Sequence, residues 1–369
     1  MAERERIVYI DVAKGIGIFL ILFVHSMENG FPRQVAAIVP IQLFFFLSGT
    51  TYRIGFGKGV YKDVWIKRFF RVYVPYLIVS LFSIAVYAVA TKAFPEAGFP
   101  KMPIGDSLLA MLYGNARGQQ MQYNQPLWYI PCMLVVFLLV DITEYILYRM
   151  QLRDIKHREI LRWVFVALSF LGAFLFGVCF RSARLPFGLE AGLFVYPFME
   201  MGIVVRRKEW DTKCAYWVKN HKPVSAIFFL LLMAATVGVC ILNDEGGFVQ
   251  VKSLQFGNSF FLYLLASVLM VAAILILAML FGRARAIAYA GKNSLTIFLF
   301  HKFPILFFQV LVKPVGRLLK KGNTPEGCAT GVGVALVTIL ACLALDQILT
   351  VTVPWVIGKT KRKKMKKKA

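Results

Sequence analysis

Apolar residues are gathered into long runs separated by short polar, mostly basic segments. A run of about 20 residues covers the roughly 30 Å of a bilayer's hydrocarbon core at 1.5 Å per helical residue. Ten such runs can be drawn, at Ile7–Met27, Val35–Tyr52, Val72–Thr91, Leu127–Tyr148, Trp163–Phe180, Leu189–Val205, Val224–Leu242, Gly257–Phe281, Asn293–Val312 and Gly331–Ile357. The pattern predicts an all-α polytopic membrane protein with about ten transmembrane helices. One membrane domain is expected over residues 1–358, with a basic tail over 359–369. A longer polar segment, Lys92–Pro126, separates the third and fourth runs. The first run carries Asp11 and Lys14 and lacks a small-residue cleavage site, so it reads as a retained span.

Composition agrees with this reading. Of 369 residues, 59% are hydrophobic and only 17% charged, where a soluble domain carries about a quarter charged residues. The surplus apolar surface needs a lipid solvent. Net charge is +24, which suits anionic lipid or anionic ligands; the hydropathy argues against nucleic acid as the partner. No phosphate loop, dinucleotide fingerprint or metal-ligand cluster is present, so no metal is expected.

The same charge sets the orientation, because Lys and Arg accumulate in cytoplasmic loops. With both termini inside, 30 basic residues fall on the cytoplasmic side and 11 outside. The segment Lys313–Lys321 runs against the trend, with four positive charges outside. That is the signature of a misplaced boundary or of an anionic partner. The tail Lys359–Lys368 suits anionic headgroups, or is simply solvated.

Charges inside spans cost about 2.5–3.5 kcal/mol at a helix centre on insertion scales, so they mark candidate function. In the first run Lys14 and His25 are eleven positions apart, which puts them on one helical face roughly 16 Å apart. Asp11, three positions before Lys14, can pair with it. His25 alone could be a histidine at the outer interface, and Lys14 could do no more than neutralise Asp11 and reach the inner headgroups. Asp141, Glu144 and Asp346 lie within later runs, and the sequence gives them no role.

The segment Asp11-Val12-Ala13-Lys14-Gly15-Ile16-Gly17 through His25 resembles the opening of the acyltransferase family 3 membrane proteins, whose first helix carries a basic residue, ten intervening positions and a histidine. Phe44-Phe45-Phe46-Leu47-Ser48-Gly49 is similar to the family's aromatic–Ser–Gly stretch. Lys67-Arg68-Phe69-Phe70-Arg71 is similar to its Arg-x-x-Arg pair. Gly291-Lys292-Asn293-Ser294 through His301-Lys302-Phe303-Pro304 looks like its late Gly-basic-x-Ser…His-x-x-Pro helix. Four matches fall in chain order. Pro126-Leu127-Trp128-Tyr129-Ile130-Pro131 further resembles the fucose O-acetylase-like branch. Two departures stand out: position 14 is Lys where Arg is common, and no hydrolase-like domain follows the membrane domain.

The resemblance implies an O-acyltransferase, most simply an acetyltransferase, in a plasma or bacterial inner membrane. Its donor would be a cytoplasmic acyl-CoA such as acetyl-CoA, and its acceptor a hydroxyl of an extracytoplasmic or lipid-linked glycan. His25 would act as general base or as an acyl relay, with Lys14 and Asp11 on the same face. Arg68 and Arg71 would grip the CoA phosphates or merely fix topology. Ser48 and Gly49 would admit the CoA arm or a packing helix. His301 would polarise the thioester, line the tunnel or serve structure. Glu190 would bind sugar hydroxyls or pair with Arg181 or Arg184, and Trp128 would line the substrate path. A transporter or flippase for a polysaccharide precursor is the competing class; such proteins often show matching halves, which this chain lacks.

Overall fold

The computed structural model of the chain describes residues 8–53, 60–97, 99–100, 102–117, 120–150, 155–244, 249–282 and 284–359. Among them, nine helices are long and apolar enough to cross a bilayer, and one bent pair supplies a tenth span. In chain order they are α1 (Val8–Ser26), α2 (Phe31–Thr51), α3 (Tyr61–Ala93), α4 (Gln125–Arg149), α5 (Lys156–Val178), α6 (Pro186–Arg207), α7 (Lys222–Leu242), α8 (Phe260–Leu280), α9 (Ser294–Phe300 with Lys302–Leu311) and α10 (Pro325–Thr352). All ten expected runs are present as spans, and the described residues contain no strand, only an isolated bridge between Gln250 and Gln255.

Contacts between span ends fix the alternation. The end of α2 meets α3 and α4 where Tyr52 and Arg68 both reach Asp141. The end of α10 turns back so that Lys359 bonds Asp346 and Asn293. At the opposite end Gln309 of α9 donates to the carbonyls of His25 and Ser26, and Asn29 accepts from the Gly322 amide. Odd and even spans therefore run in opposite directions. We call the end holding Lys359 inner, following the distribution of Lys and Arg. Lys359 belongs to the folded domain; the remainder of the tail, 360–369, lies outside the described residues.

Boundaries differ from expectation where local chemistry acts. α10 starts at Pro325, six residues before the expected Gly331, because the Thr324 hydroxyl accepts from the Gly327 amide and Pro325 needs no donor partner at a helix start. It stops at Thr352, since Pro354 has no N–H to extend the ladder. α9 bends by 41° at His301. Pro304 lacks the N–H that would bond the Phe300 carbonyl, and its ring crowds that carbonyl. Two further helices line the membrane surfaces: Ile104–Tyr113 within the long outer segment, held by the Tyr76 hydroxyl donating to Met111 O at 2.6 Å, and Trp210–Asn220 on the inner side, whose Asp211 accepts from Tyr9 at 2.8 Å and pairs with Arg206 at 2.5 Å.

Lipid supplies no hydrophobic drive between helices, so close approach at small residues holds them together. One close crossing is α2 on α6. A Cβ on Gly49 would overlap the Met199 carbonyl oxygen, and one on Gly202 the Phe46 carbonyl. The short helix Arg285–Lys292 closes on α1 in the same way, with Gly291 against the Asp11 carbonyl and Gly15 against that of Ile287. Gly49→Val or Gly202→Val should therefore cost about 1–3 kcal/mol by overpacking, or more because backbone cannot yield. Thermal unfolding in detergent should show a clear loss for either variant. Gly238→Ala, where nothing lies within 4 Å of the new methyl group, should unfold like the unaltered protein.

Candidate active site

The spans enclose a cavity of about 560 Å³. Its long wall is the face of α1 that carries Lys14, Ile21 and His25, spaced seven and four residues apart and so in line on one side of the helix. At the inner end stand Lys14, Ser48 of α2, Val72 of α3 and Ser294 of α9. The middle is lined by Phe44, Tyr129, Met133 and Phe298. At the outer end are Arg33, Gln122, Gln125, Trp128, Lys252 and Lys302, roofed in part by Phe99 and Pro100 of the long outer segment. The expected shared face of Lys14 and His25 is thus the spine of one continuous space.

His25 does not sit at a bare membrane interface. Its ring lies 5.2 Å, centroid to centroid, from that of His301. His301 is fully buried behind it and is absent from the cavity lining. The His301 Nδ1 lies 2.7 Å from the Phe298 carbonyl oxygen. A carbonyl can only accept, so Nδ1 carries the proton and Nε2 is a bare acceptor. That Nε2 is buried and has no hydrogen-bond partner among the described residues. The bend in α9 puts this histidine against α1 and leaves the next residue, Lys302, facing the cavity.

The chain belongs to acyltransferase family 3. The family's acyltransferase domain matches residues 7–346, nearly the whole membrane domain just described, while no curated protein and no solved structure matches the chain. This acyltransferase thus carries the four resembling motifs within one matched stretch, and each can now be given a place.

Lys14, His25, Ser48 and Trp128 line the cavity. Ser48 also donates to the Phe44 carbonyl, one turn back in its own helix, at 2.8 Å. The other expected site residues lie elsewhere. Asp11 stays outside the lining, its carbonyl pressed on Gly291. Gly49 is a packing residue of the α2–α6 crossing. Glu190 is buried and accepts from Asn115 Nδ2 at 2.7 Å and the Leu185 amide at 3.2 Å; it pins the outer loop to the start of α6 and forms no ion pair with Arg181 or Arg184 among the described contacts.

The Arg-x-x-Arg pair divides its labour. Arg68 donates to Asp141 at 2.6 Å, while Trp65 Nε1 donates to the same carboxylate at 2.9 Å and Tyr52 also reaches it. The Arg68 guanidinium lies over the Phe137 ring at 4.3 Å. Its charge is consumed by an internal pair. Arg71 is exposed on the π-helical turn Phe69–Tyr73, next to the cavity residue Val72.

The three unassigned carboxylates find partners of the same kind. Asp141 holds Arg68, Glu144 pairs with Arg162 and Arg207 at 2.7 Å each, and Asp346 pairs with Lys359 at 2.7 Å and accepts from Thr296 at 2.6 Å. Arg162 also holds Glu200. These ion pairs brace the inner half of the bundle and lie outside the cavity lining.

Sequence reading missed the outer polar residues of the cavity. Lys252 lies on the turn Val251–Ser253 between α7 and α8 and donates to Gln125 Oε1 at 2.8 Å. Burial, reinforced by repulsion from Lys302 and Arg33, pushes its ammonium down to about 8. A lone Lys in a loop carries no sequence signal. Lys302 was visible as a charge within a span, and Tyr129 as part of a motif, yet neither could be aimed at the cavity without the fold.

Removing Arg68 strands the buried Asp141 carboxylate, and breaking a buried pair from one side costs about 3–5 kcal/mol. Arg68→Ala should therefore unfold well below the unaltered protein in a thermal ramp in detergent, whereas Arg71→Ala should melt normally. An Arg68→Ala variant of unchanged melting temperature would mean that the ion pair contributes nothing to stability.

Proposed function

We propose that this membrane acyltransferase is an O-acyltransferase that moves an acyl group, most simply acetyl, from cytoplasmic acyl-CoA to a hydroxyl of an extracytoplasmic or lipid-linked glycan, in a plasma or bacterial inner membrane. The observation that carries the reading is the continuous cavity along α1, which has a cation at its inner end and a histidine towards its outer end. A thioester on a long thin arm fits such a space from within; a hydroxyl can approach the same histidine from without.

His25 is the group for proton transfer. As the acceptor oxygen attacks the thioester carbonyl, His25 takes the hydroxyl proton. Collapse of the tetrahedral intermediate breaks the C–S bond, and the thiolate recovers that proton to leave as CoA-SH. Imidazole can do this because one nitrogen accepts while the other stays protonated. His301 Nε2, buried beside the His25 ring and without a hydrogen-bond partner among the described residues, would receive that second N–H and hold the ring in its productive tautomer. His301 would then be a positioning residue. Lys14 at the inner mouth and exposed Arg71 beside it are the cations that would meet the CoA phosphates, leaving Arg68 to support them through Asp141.

Transport of a glycan precursor loses ground to this reading, since the family assignment is to acyl transfer and Arg68, Arg162, Arg207 and Lys359 are paired with buried carboxylates.

Two outcomes test the proposal. His25→Ala should lower acyl transfer by about 10²–10⁴, the range for loss of a general base, in purified protein that remains monodisperse; turnover at the unaltered rate would remove His25 from the chemistry. In sealed vesicles of known orientation, acyl-CoA should be consumed only from the face that carries Lys359, and an impermeant glycan acceptor only from the other. Consumption of both from the Lys359 side would replace the transmembrane reaction with a cytoplasmic one.

A further inference from the structure

Among the described residues that line the cavity there are four permanent or potential cations besides His25, and no Asp or Glu. The imbalance is concentrated at the outer end. Lys252, Lys302 and Arg33 come from three separate elements, the turn after α7, the bent α9 and the start of α2, and all line the cavity with His25. Arg33 has a carboxylate in reach, Glu28, and donates to the Val24 carbonyl at 3.0 Å. The two lysines differ: the hydrogen bond shown for Lys252 is to the neutral Gln125, and Lys302 is part-buried, with no carboxylate paired to it among the described residues.

This arrangement is built rather than loose. The turn that carries Lys252 is closed by two backbone hydrogen bonds between Gln250 and Gln255, at 2.9 and 3.0 Å, and its Val251 is buried. Lys302 is fixed by the helix bend that also places His301. Elsewhere in the same chain the buried carboxylates Asp141, Glu144, Glu200 and Asp346 each have a cation. Two ammonium groups held near each other away from bulk water repel, and a desolvated charge is tolerated where an opposite charge completes it.

We infer that Lys252 and Lys302 bind an anionic group on the acceptor, a sugar carboxylate or a phosphate close to the hydroxyl that is acylated. This rests on the proposed acyl transfer to an external glycan. The donor's own phosphates are assigned to the other end of the cavity, because Lys14 is roughly 16 Å from His25 along α1. An anion seated on the lysines would present its neighbouring hydroxyl to His25. The exposed cations Lys313, Arg317, Lys320 and Lys321, at the same outer end of the bundle, would draw such an acceptor to that face.

The test is protection of these two lysines in the full-length protein, reconstituted in sealed vesicles with the outer face exposed. An impermeant amine-reactive reagent is added and modification of Lys252 and Lys302 is followed by mass spectrometry. The probes are methyl glucuronide, glucose 1-phosphate, the neutral methyl glucoside, and adenosine 3′,5′-bisphosphate as a stand-in for the CoA phosphates. At about ten times its Kd, a charged sugar should slow modification of both lysines by about tenfold, with methyl glucoside without effect at the same concentration. Whichever charged sugar protects better identifies carboxylate or phosphate. Lys302→Gln should remove protection of Lys252 while the protein stays monodisperse, and Lys252→Gln should do the same for Lys302. Equal protection by neutral and charged sugars, protection by neither charged sugar, or protection by the bisphosphate from outside would each overturn the assignment. Consumption of acyl-CoA from the Lys359 side, measured in the same vesicles, reports separately on acyl transfer. Its loss with protection intact would fail the proposed reaction and leave the anion site standing.

Discussion

An ionic group within a bilayer must be paired, hydrated or given a ligand, since leaving it otherwise costs several kcal/mol. This one constraint sorts the polar residues of the chain into two populations. Arg68 with Asp141, Arg162 with Glu144 and Glu200, Arg207 with Glu144 and Lys359 with Asp346 satisfy it internally. The first three groups tie α3, α4, α5 and α6 together near the inner surface, and Lys359 folds the segment after α10 back onto it. Lys252 and Lys302, for which no carboxylate partner is seen among the described residues, line the cavity, where a bound anion can complete them. Stability and binding thus draw on the same physical rule in opposite ways.

Glycines set how close the walls of the cavity come. α1 is the spine of the site, and it is gripped by the helix Arg285–Lys292, where Gly15 and Gly291 let the two backbones come close. The Gly-basic-x-Ser motif therefore has a structural meaning: Gly291 docks on Asp11, and three residues later Ser294 enters the cavity beside Lys14. α2 is fixed against α6 by Gly49 and Gly202 in the same manner, which turns Ser48 rather than Gly49 to the cavity. An Ala at either crossing would push a wall outward before any substrate was touched.

The spans were legible because twenty apolar residues in a row have few other uses, and the face shared by Lys14 and His25 followed from helical spacing alone. Long-range pairing was not legible. Arg68 and Asp141 are 73 residues apart, and a basic residue beside a membrane span reads the same whether it faces phosphate or a carboxylate. Glu190 behaved likewise: its partners, Asn115 and the Leu185 amide, lie in an outer segment whose path no periodicity describes. The bend at His301 was within reach of the sequence, since Pro304 in an apolar run predicts a break one turn earlier. What that break does, bringing His301 against His25 and Lys302 into the cavity, depended on where α9 lies in the bundle.

The polar groups of the cavity are divided between its ends, and the middle is aromatic and aliphatic. Tyr129 packs edge-on against Phe45 and Phe298 at 5.3 Å each, and with Phe44, Ile21 and Met133 it surrounds the approach to His25 from the inner side. In the proposed reaction a thioester crossing that stretch would leave water behind it, and the acyl carbon would meet only what arrives from the outer end. Water there would compete as nucleophile, and a snug apolar collar limits how much of it stays. Selection between hydrolysis and transfer then falls to whichever hydroxyl is held against His25 long enough to react. Residues that hold it are worth more to the reaction than residues that attract it, because effective concentration rises steeply once orientation is fixed. The bent helix fixes His301 and Lys302 as neighbours, so in the proposed reaction the group that would orient the base and a group that would orient the acceptor stand on a single turn.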